Sequence, residues 1–507
     1  MKKIGQLNLT ICSEFVSGQI NDNSTTVRDN LKKGALGGLF GFKDAKQIKE
    51  LQKMAVENSR LHIPLIFGYD VVHGYDVTFP IPLALSSSWN PNIVETMARI
   101  SAKEAASDGV CWTYAPMVDI CHDARWGRIA EGAGEDPYLG SVMAKAYIHG
   151  FQGDNDLSKN TNIMACVKHF ALYGASEAGR DYNTVDMSRQ RAFNEYMMPY
   201  KAACDAGAGS FMASFNEFEG IPAHCNDYLM NDVLRKQWGF DGFITTDYTG
   251  IMETTQHGIG NEQTATARAL KAGIDMDMMS EYYIKYLKQA LADGSVSEDD
   301  LNTACRRILE AKYKLGLFED PYKYCDPKRA AKILGADEHV HQARKIAQEC
   351  QVLLKNDNNL LPLKKDSKIA VIGPMANNSW DMLGSWSGSS QKVKAVSLYE
   401  GLKEAMGNQG SISWAEGSWL VDDKLLEWKL CNNFVGALGE GHKMEVHTRS
   451  EADLLNEALT IAKDADVIVA ALGENLNMNG EVHHVPILLY LSLNSVYLKR
   501  FWLRESL

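Results

Sequence analysis

Four residues with the potential for chemistry stand out by type and by position. Asp247 follows two threonines in GFITTDY, Lys168 and His169 are adjacent in VKHF, and Arg128 follows a glycine in WGR. A carboxylate that basic neighbours keep ionised at neutral pH is a candidate nucleophile for covalent catalysis. A carboxylate at a strand end also commonly caps the next helix, and both interpretations of Asp247 stay open on these residues alone.

The elements that must position these residues are short apolar runs, each followed by a longer helical pattern. The runs lie at residues 63–70, 110–119, 162–170, 209–217, 242–248 and 272–279. Their spacing leaves room for one helix between successive strands, and runs that are apolar throughout are typical of parallel strands covered on both faces. The pattern predicts an α/β fold that begins with a (β/α) barrel-like domain.

Polar side chains end most of these runs. They are Asp70, Asp119, Lys168 with His169, Asn216 and Asp247. In a (β/α) barrel the carboxyl ends of the strands form the active-site face, so we expect these side chains to lie close together. Polar residues also mark where strands stop, but repeated endings of this kind favour a shared site.

A second domain is predicted after the barrel. Residues 1–320 form the predicted barrel, and residues 321–345, rich in charge and containing two prolines, form a predicted linker. Residues 346–482 show strand patterns at 367–377, 411–417 and 464–474, which predict an incomplete α/β sandwich. The turn GPMAN favours nucleotide binding only weakly, because it lacks a GxGxxG or Walker pattern.

Composition excludes several other classes of function. The net charge of −12 argues against a polyanionic partner, and the ten cysteines include no CxxC pair that would indicate a zinc site. No apolar run approaches the roughly 18–20 residues that span a bilayer. The opening MKKIGQLNLT lacks the apolar core of a signal peptide, so none is predicted for the sequence as written. The negative net charge therefore favours a neutral or weakly charged ligand over a polyanion.

Long ordered blocks of the first domain resemble glycoside hydrolase family 3. They are GYDVVHG (68–74), FPIPLALSSSWNP (79–91), YAPMVDICHDARWGRIAEGAGEDPYLG (114–140), CVKHFALYGASEAGRDYNTVDMS (166–188), MASFNEFEGIPAHCN (212–226) and LRKQWGFDGFITTDYTGI (234–251). The resemblance implies that Asp247 is the nucleophile. It also implies that a set of neighbouring side chains binds the terminal sugar, namely Asp70, Arg128, Lys168 and His169, with Met212, Ser214 and Tyr248 lining the same pocket.

The stretch KHFALYGASEAGRDYN departs from the acetylglucosaminidase branch of the family and resembles the β-glucosidase and β-xylosidase branch. In that branch the acid/base is a glutamate in a loop of the second domain. The resemblance places this role on Glu481, with Glu474 as the alternative.

The implied activity is retaining exo-hydrolysis of a terminal β-D-glucosyl residue, with a β-linked oligosaccharide or β-glucoside as substrate. Such a reaction uses two carboxyl groups about 5–5.5 Å apart, one as nucleophile and one as acid/base. It implies neither metal nor organic cofactor, and neither nucleic acid nor membrane as partner. The alternatives are a β-xylosidase on the same scaffold and a sugar-binding remnant without activity.

The last residues, 483–507, differ in composition from the rest of the chain and contain neither Gly nor Asp. One hypothesis is that this aberrant tail is the product of a shifted reading frame that truncates the second domain. The start at Met1, close to KIGQL, also suggests a shortened N-terminus. On this hypothesis we expect the exact chain to be a weak and aggregation-prone hydrolase.

Overall fold

The computed structural model describes residues 3–11, 23–387, 395–420 and 448–481. The strands, in chain order, are β1 (Asn8–Ile11), β2 (Gly38–Phe40), β3 (Ile66–Tyr69), β4 (Trp112–Thr113), β5 (Met164–Phe170), β6 (Ser210–Ala213), β7 (Glu217–Phe218), β8 (Ile221–Pro222), β9 (Phe243–Thr245), β10 (Asp277–Met278), β11 (Lys368–Ile372), β12 (Ser411–Ala415) and β13 (Val467–Ala470). Strands β7 and β8 form a separate antiparallel hairpin.

Within these residues, parallel strands form one eight-stranded sheet in the order β10-β1-β2-β3-β4-β5-β6-β9. The backbone N–H of Thr246 donates to the carbonyl of Met276 at 2.9 Å, which brings the end of β9 next to the residues before β10. The sheet therefore closes into a barrel. All seven residues of β5 are buried, as expected where side chains fill the barrel on one face and helices cover the other.

Helices surround the barrel and follow its strands. They include Asn23–Lys33, Ala45–Glu57, Pro82–Ser87, Pro91–Ser107, Pro137–Gln152, Met198–Asp205, Tyr228–Gln237 (a π-helix), Gly250–Thr254, Glu262–Ala272, Tyr282–Ala292 and Glu298–Lys314. Local chemistry fixes several of their starts. The last helix begins with a capping box, in which the Ser297 hydroxyl and the Asp300 carboxylate each bond the other residue's backbone N–H.

The predicted linker contains two helices, Pro327–Ile333 and Asp337–Glu349, the second of which extends past residue 345. Buried Glu104, on the barrel helix Pro91–Ser107, accepts hydrogen bonds from the backbone N–H of Gly335 at 3.2 Å and from Nδ1 of His339 at 2.8 Å. These bonds hold the connecting segment against the barrel.

The second domain has a three-stranded parallel sheet in the order β12-β11-β13 within the described residues. Its central strand β11 is buried on both faces, because Val371 packs into one apolar cluster and Ile372 into another. Helices Leu398–Met406 and Glu451–Lys463 supply residues to these clusters.

The predicted fold class is confirmed, with a parallel barrel followed by a separate α/β domain. The predicted runs at 63–70 and 242–248 contain β3 and β9, although the strands are shorter than the runs. Strands β1 and β2 were not predicted. Across the part of the chain that the structure describes, we find no helix that is both long enough and apolar enough to cross a membrane.

Candidate active site

Asp247 lies just after the carboxyl end of β9, with its side chain 12% exposed. Its Oδ1 accepts a hydrogen bond from the backbone N–H of Tyr248 at 2.7 Å. Its Oδ2 accepts none within the described residues and lies 3.6 Å from Nε2 of His169. One oxygen is therefore fixed while the other is buried and unbonded, as suits a carboxylate that attacks a substrate atom.

His224 holds the backbone of this residue. The N–H of Asp247 donates to Nε2 of His224 at 3.2 Å, so the imidazole carries its proton on Nδ1. Burial lowers the pKa of His224 to about 3, which keeps the ring neutral and able to accept this bond. The residue at 250 must be glycine, because a Cβ there would lie 2.2 Å from the same nitrogen.

The protonation of Asp247 depends on opposing effects. Burial raises the pKa of its carboxyl group most, and the negative charge of Glu481 raises it further. Arg128 and Lys168 lower the pKa, as the sequence led us to expect, but burial and the second carboxylate outweigh them. Because the negative charge of Glu481 raises this pKa, the ionised form of Asp247 is favoured when Glu481 is neutral.

Glu481 comes from the second domain and reaches the barrel side of the site. Its Oε1 lies 3.8 Å from Nη1 of Arg128 and accepts a hydrogen bond from the hydroxyl of Tyr182. The preceding residue is anchored as well, because the backbone N–H of Gly480 donates to the carbonyl of Gly127 at 2.8 Å. The alternative, Glu474, is exposed shortly after β13.

Two buried cations share one buried carboxylate. Arg128 donates to both oxygens of Glu131, from Nε at 2.8 Å and from Nη2 at 3.2 Å, and Lys168 Nζ lies 3.4 Å from Oε2. Burial acts to raise the pKa of Glu131, but the two cations outweigh it and lower the pKa to about 2. Nη1 of Arg128 has no hydrogen bond within the described residues, although it is buried. It is left to face the site.

A loop of the second domain, which carries Trp386, lies against Lys168 and Glu131. The ring of Trp386 lies 4.8 Å from Lys168 Nζ, and its side chain hydrogen-bonds Glu131. Nearby, Nε2 of buried His73 contacts the carbonyl of Ser385 at 2.6 Å. The second domain therefore closes over the barrel at two places, one near Trp386 and one near Glu481.

His169 is held by a buried carboxylate. Its Nδ1 donates to Oδ2 of Asp119 at 2.9 Å, and the other oxygen of Asp119 accepts from the hydroxyl of Tyr200 at 2.5 Å. Burial, and then the charges of Arg128 and Lys168, keep the pKa of His169 well below its usual range. The ring is neutral, and Nε2 presents an acceptor toward the site.

Asp70 follows β3 at the rim, with its Oδ1 3.6 Å from Lys168 Nζ and its side chain 28% exposed. Burial raises the pKa of Asp70 to about 6, against the opposing charge of Lys168. The structure thus brings Asp70, Arg128, Lys168, His169, Asp247 and Glu481 together at the carboxyl ends of the barrel strands.

The remaining predicted pocket residues differ in their placement. Tyr248 is 48% exposed next to Asp247. Met212 is buried in the main apolar cluster of the barrel. Ser214 is fully buried, and its hydroxyl donates to the carbonyl of Ala171 at 3.2 Å. The contacts of Met212 and Ser214 support the barrel wall, so their role as pocket lining stays a prediction.

Sequence reasoning missed Glu131, Tyr182, His224 and Trp386. Only Glu131 carried a usable signal, because it stands three residues after Arg128, a spacing at which opposite charges pair on one helical turn. Tyr182, His224 and Trp386 enter from distant loops. No group of three or more His, Cys, Asp or Glu side chains within the described ranges is arranged to hold a metal ion.

Comparisons with known proteins match both domains. Residues 1–311 match the glycosyl hydrolase family 3 N terminal domain, and residues 351–495 match the glycosyl hydrolase family 3 C-terminal domain. The chain is 42% identical over 484 residues to a periplasmic beta-glucosidase of Salmonella typhimurium, covering 95% of this chain and 61% of that protein. It is 32% identical to a beta-xylosidase of Formosa agariphila, covering 96% of this chain and 73% of that protein.

Among solved structures, the beta-glucosidase from Listeria innocua in complex with glucose superposes with a TM-score of 0.84 at 35% identity. The match covers 96% of this chain and 64% of that structure. The chain thus spans a little under two thirds of these two beta-glucosidases. With both of its domains matched in order, the chain belongs to glycoside hydrolase family 3.

Proposed function

We propose that this chain is a retaining exo-β-glycosidase that releases terminal β-D-glucosyl residues from β-glucosides or β-linked oligosaccharides. The observation that carries the proposal is the pairing of two carboxyl groups from different domains. Asp247 presents a buried, unbonded Oδ2 after β9, and Glu481 of the second domain lies near enough to raise its pKa. Retaining hydrolysis requires two carboxyl groups close to one another.

In the first step, Asp247 Oδ2 forms a bond to the anomeric carbon as the bond to the leaving oxygen breaks. Glu481 gives its proton to that oxygen, which departs as an alcohol. In the second step, water attacks the anomeric carbon, Glu481 takes a proton from it, and the bond to Asp247 breaks to restore the carboxylate. The first step requires the form in which Glu481 carries the proton and Asp247 is ionised.

The other side chains supply donors and acceptors for sugar hydroxyl groups. Lys168 and the unbonded Nη1 of Arg128 are donors, whereas Asp70 and Nε2 of neutral His169 are acceptors. A pocket that mixes charged donors and acceptors distinguishes the orientation of hydroxyl groups, and these bonds can tighten in the transition state.

Glucose is favoured over xylose by the comparisons. The Salmonella beta-glucosidase is 42% identical to this chain, and the Formosa beta-xylosidase is 32% identical. The second of these keeps β-xylosidase activity as the alternative. The kinetic ratio for 4-nitrophenyl β-glucoside over 4-nitrophenyl β-xyloside tests the choice, and a kcat/KM ratio below one would favour the xylosidase.

Trapping tests the nucleophile directly. A 2-deoxy-2-fluoro-β-glucoside with a good leaving group should inactivate the chain and leave one fluoroglucosyl group on the peptide that contains Asp247. The variant Asp247→Asn should neither turn over nor label. As the matched control, Asp241→Asn changes an exposed aspartate before β9 and should behave like the unmodified chain. Labelling of a different residue would overturn the assignment. Full catalytic turnover without any labelled residue would also overturn it.

A further inference from the structure

Tyr182 lies in the loop after β5 and is held there by aromatic packing. Its ring centroid is 5.0 Å from that of Phe215 in an edge-to-face arrangement and 6.2 Å from that of Tyr173. Its neighbour Asp181 accepts a hydrogen bond from Nε1 of buried Trp126 at 2.8 Å. The backbone of Tyr182 has a φ of 61°, which a bulky side chain rarely adopts, so the surrounding contacts fix this conformation.

The hydroxyl of Tyr182 crosses the boundary between the domains. It donates to Oε1 of Glu481, the same oxygen that lies 3.8 Å from Nη1 of Arg128. Two groups of the barrel, the neutral hydroxyl of Tyr182 and the cation of Arg128, therefore lie against one carboxyl oxygen of Glu481. This contact restricts rotation of the carboxyl group about its last bond.

We propose that Tyr182 is a positioning residue that orients the carboxyl group of Glu481 and favours its ionised form, an inference that rests on the proposed function. A phenol donor stabilises a carboxylate more than the neutral acid. After Glu481 gives its proton to the leaving oxygen, the hydroxyl of Tyr182 supports the carboxylate that must next accept a proton from water.

The variant Tyr182→Phe keeps the ring that packs on Phe215 and removes only the donor. With phenyl β-glucoside, whose leaving group needs a proton, kcat/KM at the pH optimum should fall about tenfold. The alkaline limb of the pH profile should move up by about half a unit to one unit, because the carboxyl group holds its proton to higher pH. With 2,4-dinitrophenyl β-glucoside, which needs no proton, kcat/KM should change less than twofold.

A matched control is Tyr138→Phe, which removes the hydroxyl of a tyrosine that is 73% exposed on the barrel surface. It should leave both substrates and both pH limbs unchanged. If Tyr182→Phe behaves like this control, the positioning role is refuted. If the unmodified chain hydrolyses neither glucoside, the proposed function fails instead.

An NMR titration tests the same contact without turnover. In protein labelled with ¹³C at glutamate carboxyl groups, the Glu481 resonance is the one lost in Glu481→Gln. Its titration midpoint should rise by about half a unit to one unit in Tyr182→Phe and stay in place in Tyr138→Phe. An unchanged midpoint in Tyr182→Phe overturns the proposal whether or not the chain is active.

Discussion

Replacing Glu131 by glutamine removes the negative charge that two buried cations share. The carboxylate is 1% exposed, is bonded twice by Arg128 and lies 3.4 Å from Lys168 Nζ. Glutamine has nearly the same shape, so the variant Glu131→Gln should not open a cavity. It leaves Arg128 and Lys168 buried without their main counter-charge.

Two arguments give the size of the effect. The pKa of Glu131 is about 2 instead of the usual 4.5, since the cations outweigh burial. A lowered pKa means stability that is present above about pH 4.5 and is lost as the pH falls toward 2, here about 3 kcal/mol. Removing one partner of a buried ion pair costs about 3–5 kcal/mol. We therefore expect Glu131→Gln to lower the free energy of unfolding by about 3 kcal/mol at pH 7.

Urea unfolding at pH 7, followed by tryptophan fluorescence, measures this difference. The matched control is Glu135→Gln, because Glu135 is exposed in the same loop and should change the unfolding free energy by less than about 0.5 kcal/mol. The difference in unfolding free energy between the unmodified chain and Glu131→Gln should also become smaller as the pH falls from 5 to 3. A loss below about 1 kcal/mol at pH 7 would refute the reasoning.

Three further changes test the site. Burial raises the pKa of Asp70 to about 6, so sugar binding through its carboxylate should weaken as the pH falls through 6. In Asp70→Asn, kcat/KM at pH 7 should fall about 10- to 100-fold and the acid limb near pH 6 should disappear. His224→Leu orphans the N–H of Asp247, so kcat should fall about tenfold while the pH limbs, measured from pH 5 to 8, stay in place. Glu481→Gln should lower kcat/KM for phenyl β-glucoside about 100-fold or more but far less for the dinitrophenyl substrate; equal losses on both substrates would contradict its role as acid.

Sequence patterns predicted the barrel strands that lie within longer apolar runs of the sequence. The runs at 162–170 and 242–248 contain β5 and β9, and every residue of these two strands is buried. Strands β1 and β2 escaped prediction for local reasons. The residues of β1, NLTI, mix polar and apolar side chains, and β2 has three residues flanked by glycine-rich sequence. Neither segment lies in an uninterrupted apolar run, so its pattern did not predict a strand.

The site residues that stand at strand ends could be predicted from the sequence. Those that lie on loops could be predicted only in part. Asp70, Lys168, His169 and Asp247 stand at strand ends, which a barrel gathers at one face. Tyr182 and Trp386 approach from loops whose paths depend on tertiary packing, and no spacing in the chain relates either of them to Glu481. The balance of charges was also beyond the sequence, because the pKa of a carboxyl group depends on its burial.

Glu481 and Asp247 belong to different domains, and this affects how heat or denaturant inactivates the protein. Among the described residues, hydrogen bonds such as those of Gly480 to Gly127 and of His73 to Ser385 join the second domain to the barrel. Local opening of hydrogen bonds between two units takes less free energy than global unfolding of the barrel core. Inactivation should therefore precede the melting of the barrel, because moving Glu481 away from Asp247 stops catalysis while the barrel is still folded.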